Sequence, residues 1–231
     1  MNLTNCVYFD DCMNHLPSYP DKCFDWAIVD PPYGIDGNSH RNNKSRSKIA
    51  KTKDYPTDLW DQKMPEQEYF DQLFRVSKNQ IIFGINYFTG KRHLKIGGGR
   101  IVWDKVNGAN DFSDAEIAYC SSIESVRIIP FMWHGMNQGK SFVEGRIMQG
   151  NKELKENRIH PTQKPVELYK WILKTFVKPG QKILDTHVGS GSIRIASDLY
   201  GVDLTGFEVV EKHYKDQEDR WSVYKAQSKL F

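Results

Sequence analysis

The sequence predicts an α/β protein with a mostly parallel sheet, folded as a single domain over residues 1–231. Three observations carry that reading. Short apolar runs end in acidic residues or glycine turns, as buried parallel strands do. Helical patterns long enough to cross back over a sheet separate several of these runs. The length suits one full core, and neither a repeat nor a low-complexity block divides the chain.

In chain order, Cys6-Val7-Tyr8-Phe9 forms a first short strand, closed by Asp10-Asp11. A second strand runs from Phe24 to Val29 and ends in Asp30-Pro31-Pro32-Tyr33-Gly34. Residues 35 to 64 are polar, rich in Asn, Ser and Lys, and without apolar periodicity. A helix follows from Pro65 to Phe74: proline occupies its first turn, acids come next, and Tyr69, Phe70, Leu73 and Phe74 share a face. Gln80 to Phe83 is the next strand, stopped by Gly84. After the turn Gly97-Gly98-Gly99 come strands at Arg100–Trp103, Glu116–Cys120 and Val126–Ile129, the last two candidates for antiparallel pairing. Residues 134 to 160 are polar and glycine-rich. Leu168, Tyr169, Trp171, Ile172 and Phe176 mark a helix, followed by a strand at Lys182–Asp185 and a helix near Ile193–Leu199. The strand Leu204–Glu208 and a final polar helix complete the chain.

Composition excludes several classes. With 39% hydrophobic and 26% charged residues, the chain is an ordinary globular protein rather than a disordered one. No apolar run reaches the roughly 18 residues of a membrane span. The amino terminus has no signal region, so a cytoplasmic location is expected. Cys6, Cys12, Cys23 and Cys120 form no Cys-x-x-Cys pair, and no histidine spacing suggests zinc, so no metal is expected. The absence of a Pro-Cys pair removes the usual setting of a cysteine nucleophile acting on a pyrimidine carbon. Net charge is +3, weak evidence for nucleic acid by itself. Its distribution says more. Arg41, Lys44, Arg46, Lys48, Lys51 and Lys53 follow the Asp30 turn with no acid among them, which predicts phosphate contacts.

The Asp30–Tyr33 turn is the first chemical candidate. Ligands of open α/β sheets sit beyond the carboxyl ends of strands. Pro31 and Pro32 stiffen the turn and lack N–H groups, leaving carbonyls free to accept hydrogen bonds. One carboxylate, free carbonyls and a flat ring suit an amino group on a planar heterocycle.

The second candidate is Asp185-Thr186-His187-Val188-Gly189-Ser190-Gly191-Ser192, joining a strand to a helix. Glycines let a ligand approach the backbone, and the helix start presents free N–H groups. Glu208 closes the next strand, where an acid can hold two ribose hydroxyls. Position 194 would be small in a dinucleotide fingerprint, but Arg194 stands there. Asp185 would repel a pyrophosphate and suit an ammonium. S-adenosylmethionine, which has a ribose and an ammonium but no phosphate, fits better than NAD.

Together these segments resemble the β class of amino DNA methyltransferases over nearly the whole chain. Asp30-Pro31-Pro32-Tyr33 looks like the catalytic motif. His160-Pro161-Thr162-Gln163-Lys164-Pro165, Leu184-Asp185 with Gly189-Ser190-Gly191-Ser192, and Gly206-Phe207-Glu208 look like the cofactor half. Phe9-Asp10-Asp11-Cys12-Met13, Trp60-Asp61, Arg75–Asn79 and Gly84–Phe88 resemble further family segments. The resemblance implies a class I S-adenosylmethionine-dependent methyltransferase fold, Rossmann-like, with seven strands of which one is antiparallel. It also implies a circularly permuted order, with the catalytic motif ahead of the cofactor motif. One departure stands out: the family commonly has Asp-Pro-Phe where this chain has Asp185-Thr186-His187.

The resemblance further implies transfer of a methyl group to the N6 amine of an adenine flipped out of double-stranded DNA. Asp30, Pro31, Pro32 and Tyr33 would be catalytic. Asp30, Asp185, His187, Gly189, Ser190, Gly191 and Glu208 would surround the cofactor, with Asp11 and Cys12 on its adenine side. Thr162 and Lys164 would hold the methionine carboxylate. In the family, aspartate at the position of Asp30 usually accompanies adenine and serine accompanies cytosine, which leaves N4-cytosine as the alternative. A nucleic-acid-binding protein without activity is the alternative of another class. DNA contacts are expected from the basic loop at 36–58 and from a small target-recognition insert at 134–160, including Arg146 and Arg158. A bacterial or phage enzyme is implied, and dimerisation is common in that class.

Overall fold

The computed structural model describes residues 4–35, 63–108, 113–160 and 162–228. Ten strands and five helices alternate along them: β1 (Asn5–Phe9), β2 (Phe24–Val29), α1 (Gln67–Val76), β3 (Ser77–Phe83), α2 (Ile85–Phe88), β4 (Arg100–Asp104), β5 (Ala115–Cys120), β6 (Val126–Pro130), β7 (Trp133–His134), β8 (Asn137–Gln138), α3 (Val166–Phe176), β9 (Lys182–Asp185), α4 (Ser192–Tyr200), β10 (Asp203–Glu208) and α5 (Glu211–Ser228).

Eight strands form one sheet in the order β1-β10-β9-β2-β3-β5-β4-β6. Pairing is parallel except along β5, which runs antiparallel to both β3 and β4. The single antiparallel strand was expected; the count of seven strands was not met. β1 pairs β10 along its whole length and makes the eighth. β6, a candidate for antiparallel pairing, runs parallel to β4 instead. Its residues Val126 and Ile128 lie exposed at the sheet edge. Such exposure masks the apolar pattern by which a buried parallel strand is recognised. Two further elements escaped the pattern, the one-turn helix α2 and the hairpin β7–β8, both too short for a period to register.

Alternation along the strands explains why both faces are covered. In β2, Trp26 and Ile28 point into a core with Leu168, Ile172 and Leu173 of α3 and Ile193 and Ala196 of α4. Ala27 and Val29 point the other way, towards Tyr69, Phe70, Leu73 and Val76 of α1. A strand buried on both faces reads as a continuous apolar run, which is how β2 looks in sequence.

Arg194, out of place for a dinucleotide fingerprint, fastens α5 to α4. Its guanidinium donates to Gln217 Oε1 at 3.0 Å and Glu218 Oε1 at 2.6 Å, and lies 4.4 Å from the Trp221 ring centre.

The sheet order sets up the site. β2 leads through α1 to β3 on one side, while β9 leads through α4 to β10 on the other. The crevice beyond the neighbouring ends of β2 and β9 is therefore a topological switch point, where α/β sheets bind ligands. Four adjacent parallel strands deliver acids to this edge: β1 is followed by Asp11, β10 ends in Glu208, β9 ends in Asp185, and β2 is followed by Asp30.

Candidate active site

At the β9 end, the turn into α4 is built from glycines in the left-handed region, Gly189 at φ 55° and Gly191 at φ 74°. Such angles are strained for residues with a Cβ. The turn wraps back on Glu208, whose Oε2 accepts from the Gly189 N–H at 2.8 Å and whose Oε1 accepts from the Val210 N–H at 2.9 Å. Burial raises the Glu208 pKa despite these donors. Gly206 on β10 makes the close packing possible, since a Cβ there would stand 2.6 Å from Val188 Cγ2.

A cleft opens between this turn and the Asp30 turn. Asp30, Thr162, Lys164, His187, Gly189, Ser190 and Glu208 line it, together with Pro32, His160 and His213. Asp185, at 1% exposure, is buried at the end of β9. Burial, with Asp30 and Glu208 nearby, pushes the Asp185 carboxyl up to about 8 although His187 N–H donates to it at 3.0 Å. The neighbouring acids disfavour a phosphate, and a cation beside Asp185 would favour its ionised form. The acids gathered here fit S-adenosylmethionine, which carries an ammonium and a pair of ribose hydroxyls and no phosphate.

Asp11 caps a short 3-10 helix, accepting from Met13 N–H at 2.9 Å, and Cys12 is buried behind it. Burial, reinforced by Asp11, pushes the Cys12 thiol up to about 12, so it stays protonated. His187 takes the place of the family's phenylalanine. It packs edge-on to Tyr69, and its Nδ1 is 2.9 Å from the Thr186 hydroxyl, which is itself 2.7 Å from the Tyr69 hydroxyl. Burial lowers its pKa to about 4, so the ring is neutral.

Thr162 turns back onto its own loop. Its hydroxyl lies 3.0 Å from His160 Nδ1, and His160 Nε2 meets His213 Nε2 at 3.1 Å. Burial, and then His213, lowers the His160 pKa to about 3. One of these two rings donates to the other; His160 belongs to the segment assigned to the cofactor half, and His213 was not singled out in sequence.

The Asp30 turn is more enclosed than its sequence suggests. Tyr33 OH donates to Asp30 Oδ1 at 2.6 Å. Its ring stacks on Tyr87 with centres 4.8 Å apart and planes 15° from parallel. Lys164, at 3% side-chain exposure, binds Asp30 Oδ2 and stands 3.3 Å from the Tyr33 hydroxyl. The lysine expected at the methionine carboxylate thus engages Asp30 and Tyr33. Behind it stands Glu116 of β5, with Oε2 at 3.0 Å from Lys164 Nζ and Oε1 at 2.8 Å from Lys105 Nζ. Neither Glu116 nor Lys105 was singled out in sequence; both look there like ordinary charges at strand ends.

The expected DNA contacts divide three ways. Arg41, Lys44, Arg46, Lys48, Lys51 and Lys53 lie outside the described residues, as do Trp60 and Asp61. Arg146 has a side chain 62% exposed and pairs with Asp104 at 3.0 Å, at the edge where the cleft opens. Arg158 has its guanidinium 4.0 Å from the Trp133 ring centre, with Nε and Nη2 shielded from solvent. The Trp133 ring beneath it is buried.

An acid-lined cleft beside a stiff Asp-Pro-Pro-Tyr turn is the candidate site of an α/β enzyme. Comparison with known proteins specifies the family. The model of the N6/N4 methyltransferase family, described as DNA methylase, matches residues 38–219, beginning just past the Asp30–Tyr33 turn. YubD of Escherichia coli (strain K12), named as a methylase, is 24% identical over 91% of this chain and 87% of its own length. Type II methyltransferase M.HinfI of Haemophilus influenzae is 24% identical over 94% of this chain and 68% of its own. The crystal structure of the M1.HpyAVI complex with S-adenosylmethionine superposes with a TM-score of 0.53 at 15% identity, over 93% of this chain and 98% of that one. The chain belongs to the N6/N4 DNA methylase family, and its cofactor is S-adenosylmethionine.

Proposed function

We propose that this enzyme methylates the exocyclic N6 amine of adenine in double-stranded DNA, on a base flipped out of the helix. The observation that carries this reading is Asp30: a carboxylate 22% exposed, fixed on a proline-stiffened turn, opening on the same cleft as Glu208. S-adenosylmethionine, when bound, supplies an electrophilic methyl group on a sulfonium.

The amine lone pair of adenine is delocalised into the ring and is a poor nucleophile. Asp30 and the Pro31 carbonyl accept hydrogen bonds from its two N–H groups, which localises the lone pair on nitrogen and aims it into the cleft. A carboxylate has about four acceptor positions, and Tyr33 and Lys164 occupy two at Asp30. Room for an amine N–H is therefore left. Once nitrogen carries the new methyl group it holds one proton too many, and that proton passes through Asp30 to solvent. Asp30 acts as an oriented acceptor and need not be a strong base. The ring of Tyr33 gives the flipped base an aromatic surface. Holding the reactants in line can contribute up to about 7–11 kcal/mol of the rate gain.

Target choice falls to the 36–58 loop and the 134–160 insert. The insert presents Arg146 with exposed Met136, Val143, Ile147 and Met148, a mixed surface suited to a DNA groove. Adenine is preferred to cytosine because the turn begins with aspartate. Incubation of the purified enzyme and labelled cofactor with unmethylated genomic DNA, followed by nucleoside analysis, tests this. N6-methyldeoxyadenosine is expected. N4-methyldeoxycytidine would move the assignment to cytosine, and label entering RNA alone would overturn the DNA substrate.

A further inference from the structure

Lys164 is a buried ammonium between two carboxylates, and the second of them has no role in the reaction as described so far. Asp30 Oδ2 and Tyr33 OH take one side of Nζ, while Glu116 Oε2 takes the other at 3.0 Å. The ammonium donates hydrogen bonds to Asp30 Oδ2 and Tyr33 OH, while its contact with Glu116 Oε2 is an ion pair without hydrogen-bond alignment. Nζ also lies 4.6 Å from the Phe83 ring centre, which closes the remaining approach. Glu116 is in turn held from behind by Lys105 at 2.8 Å, and Lys105 rests over the Trp103 ring. Asp30, Lys164, Glu116 and Lys105 form one alternating row of charges running from the reaction centre into β5 and the end of β4.

Each link constrains the next. Burial would raise the Glu116 pKa, but Lys164 and then Lys105 outweigh it and hold Glu116 ionised. Burial would likewise lower the Lys164 pKa, but Asp30 and then Glu116 raise it, so the ammonium persists. Without the charge of Glu116, Lys164 would keep Asp30 as its single anionic partner. It would then compete with the substrate amine for the same oxygens, since a buried ammonium that loses one counterion leans on the other.

We infer that Glu116 is a positioning residue for methyl transfer: acting through Lys164, it fixes the Asp30 carboxylate in the orientation that accepts the amine N–H. This rests on the reading of Asp30 as the amine acceptor.

The test compares wild type with Glu116→Gln, Glu116→Asp, Lys164→Met and the double variant Glu116→Gln/Lys164→Met. Cofactor affinity is read by calorimetry, KM for DNA and kcat at saturating cofactor, and thermal stability alongside. Glu116→Gln is expected to lower kcat about 10²-fold, the scale of a misplaced reacting group, with cofactor affinity and KM for DNA unchanged. Glu116→Asp, which keeps the charge, recovers part of that loss and carries the test if the glutamine variant does not fold. In the Lys164→Met background, Glu116→Gln has no further effect. An unchanged kcat in both Glu116 variants would overturn the inference. So would a loss of the same size with and without Lys164, or a loss matched by weaker cofactor binding. Asp30→Ala, assayed in parallel, keeps the two readings apart: wild-type turnover in that variant sinks the role of Asp30 whatever Glu116 does.

Discussion

The ring of Tyr33 lies directly on Gly84: a Cβ at position 84 would stand 2.1 Å from Tyr33 Cε1. The Tyr33 hydroxyl reaches Asp30 with the ring in that place. Gly84 is also left-handed, with φ 67°. Gly90 shares the backbone conformation, at φ 85°, but has nothing within 4 Å of its Cβ position. Alanine at either position costs about 1–2 kcal/mol of backbone strain. The Gly84→Ala variant should in addition push Tyr33 off Asp30 and reduce turnover, while Gly90→Ala keeps it. Thermal unfolding and single-turnover methylation of the two variants, side by side, separate strain from collision.

Cofactor binding should release a proton. Free Asp185 titrates at about 8, far above an ordinary carboxyl, and an ammonium ligand favours its ionised form. At pH 7 the free enzyme holds this carboxyl mostly protonated, so binding expels the proton and affinity rises with pH between about 6 and 7.5. The slope approaches about tenfold per pH unit, since one unit is 1.36 kcal/mol. Calorimetry in buffers of different ionisation enthalpy reads the proton directly, and Asp185→Asn should remove the release.

The same carboxyl has a mark on stability. Its folded pKa is raised, so its contribution is fully present below the ordinary carboxylate value and is lost as pH rises through about 8. Without cofactor, the wild-type midpoint of thermal unfolding should fall from pH 5 to pH 8 more than that of Asp185→Asn. Equal slopes would remove Asp185 as the cause.

Arg194 should matter to α5 more than to the cofactor turn it follows. Breaking a buried ion pair costs about 3–5 kcal/mol. Glu218 is 35% exposed, which reduces the expected loss for Arg194→Ala to about 2 kcal/mol. Amide hydrogen exchange should quicken along α5, and cofactor binding should weaken because α5 carries His213 to the cleft.

Local signals were legible in the sequence and distant pairings were not. β2, β9 and β10 announce themselves as apolar runs ending in acids, and α1 and α3 by their periodicity. Asp30, Asp185 and Glu208 could be picked out because each closes such a strand. Glu116 could not, because its meaning depends on Lys164, a residue on a separate loop that follows the 134–160 insert. The His160–His213 contact is hidden for the same reason. The contact of Arg158 with the Trp133 ring is hidden likewise.

The central claim is that Asp30 directs methyl transfer to adenine. Expression of wild type and Asp30→Ala in a host lacking DNA methylation, followed by modified-base sequencing, tests it most directly. The account predicts N6-methyladenine at a defined sequence with wild type, and none with a variant that still binds S-adenosylmethionine. A mark that persists in Asp30→Ala, or one found on cytosine, would contradict it.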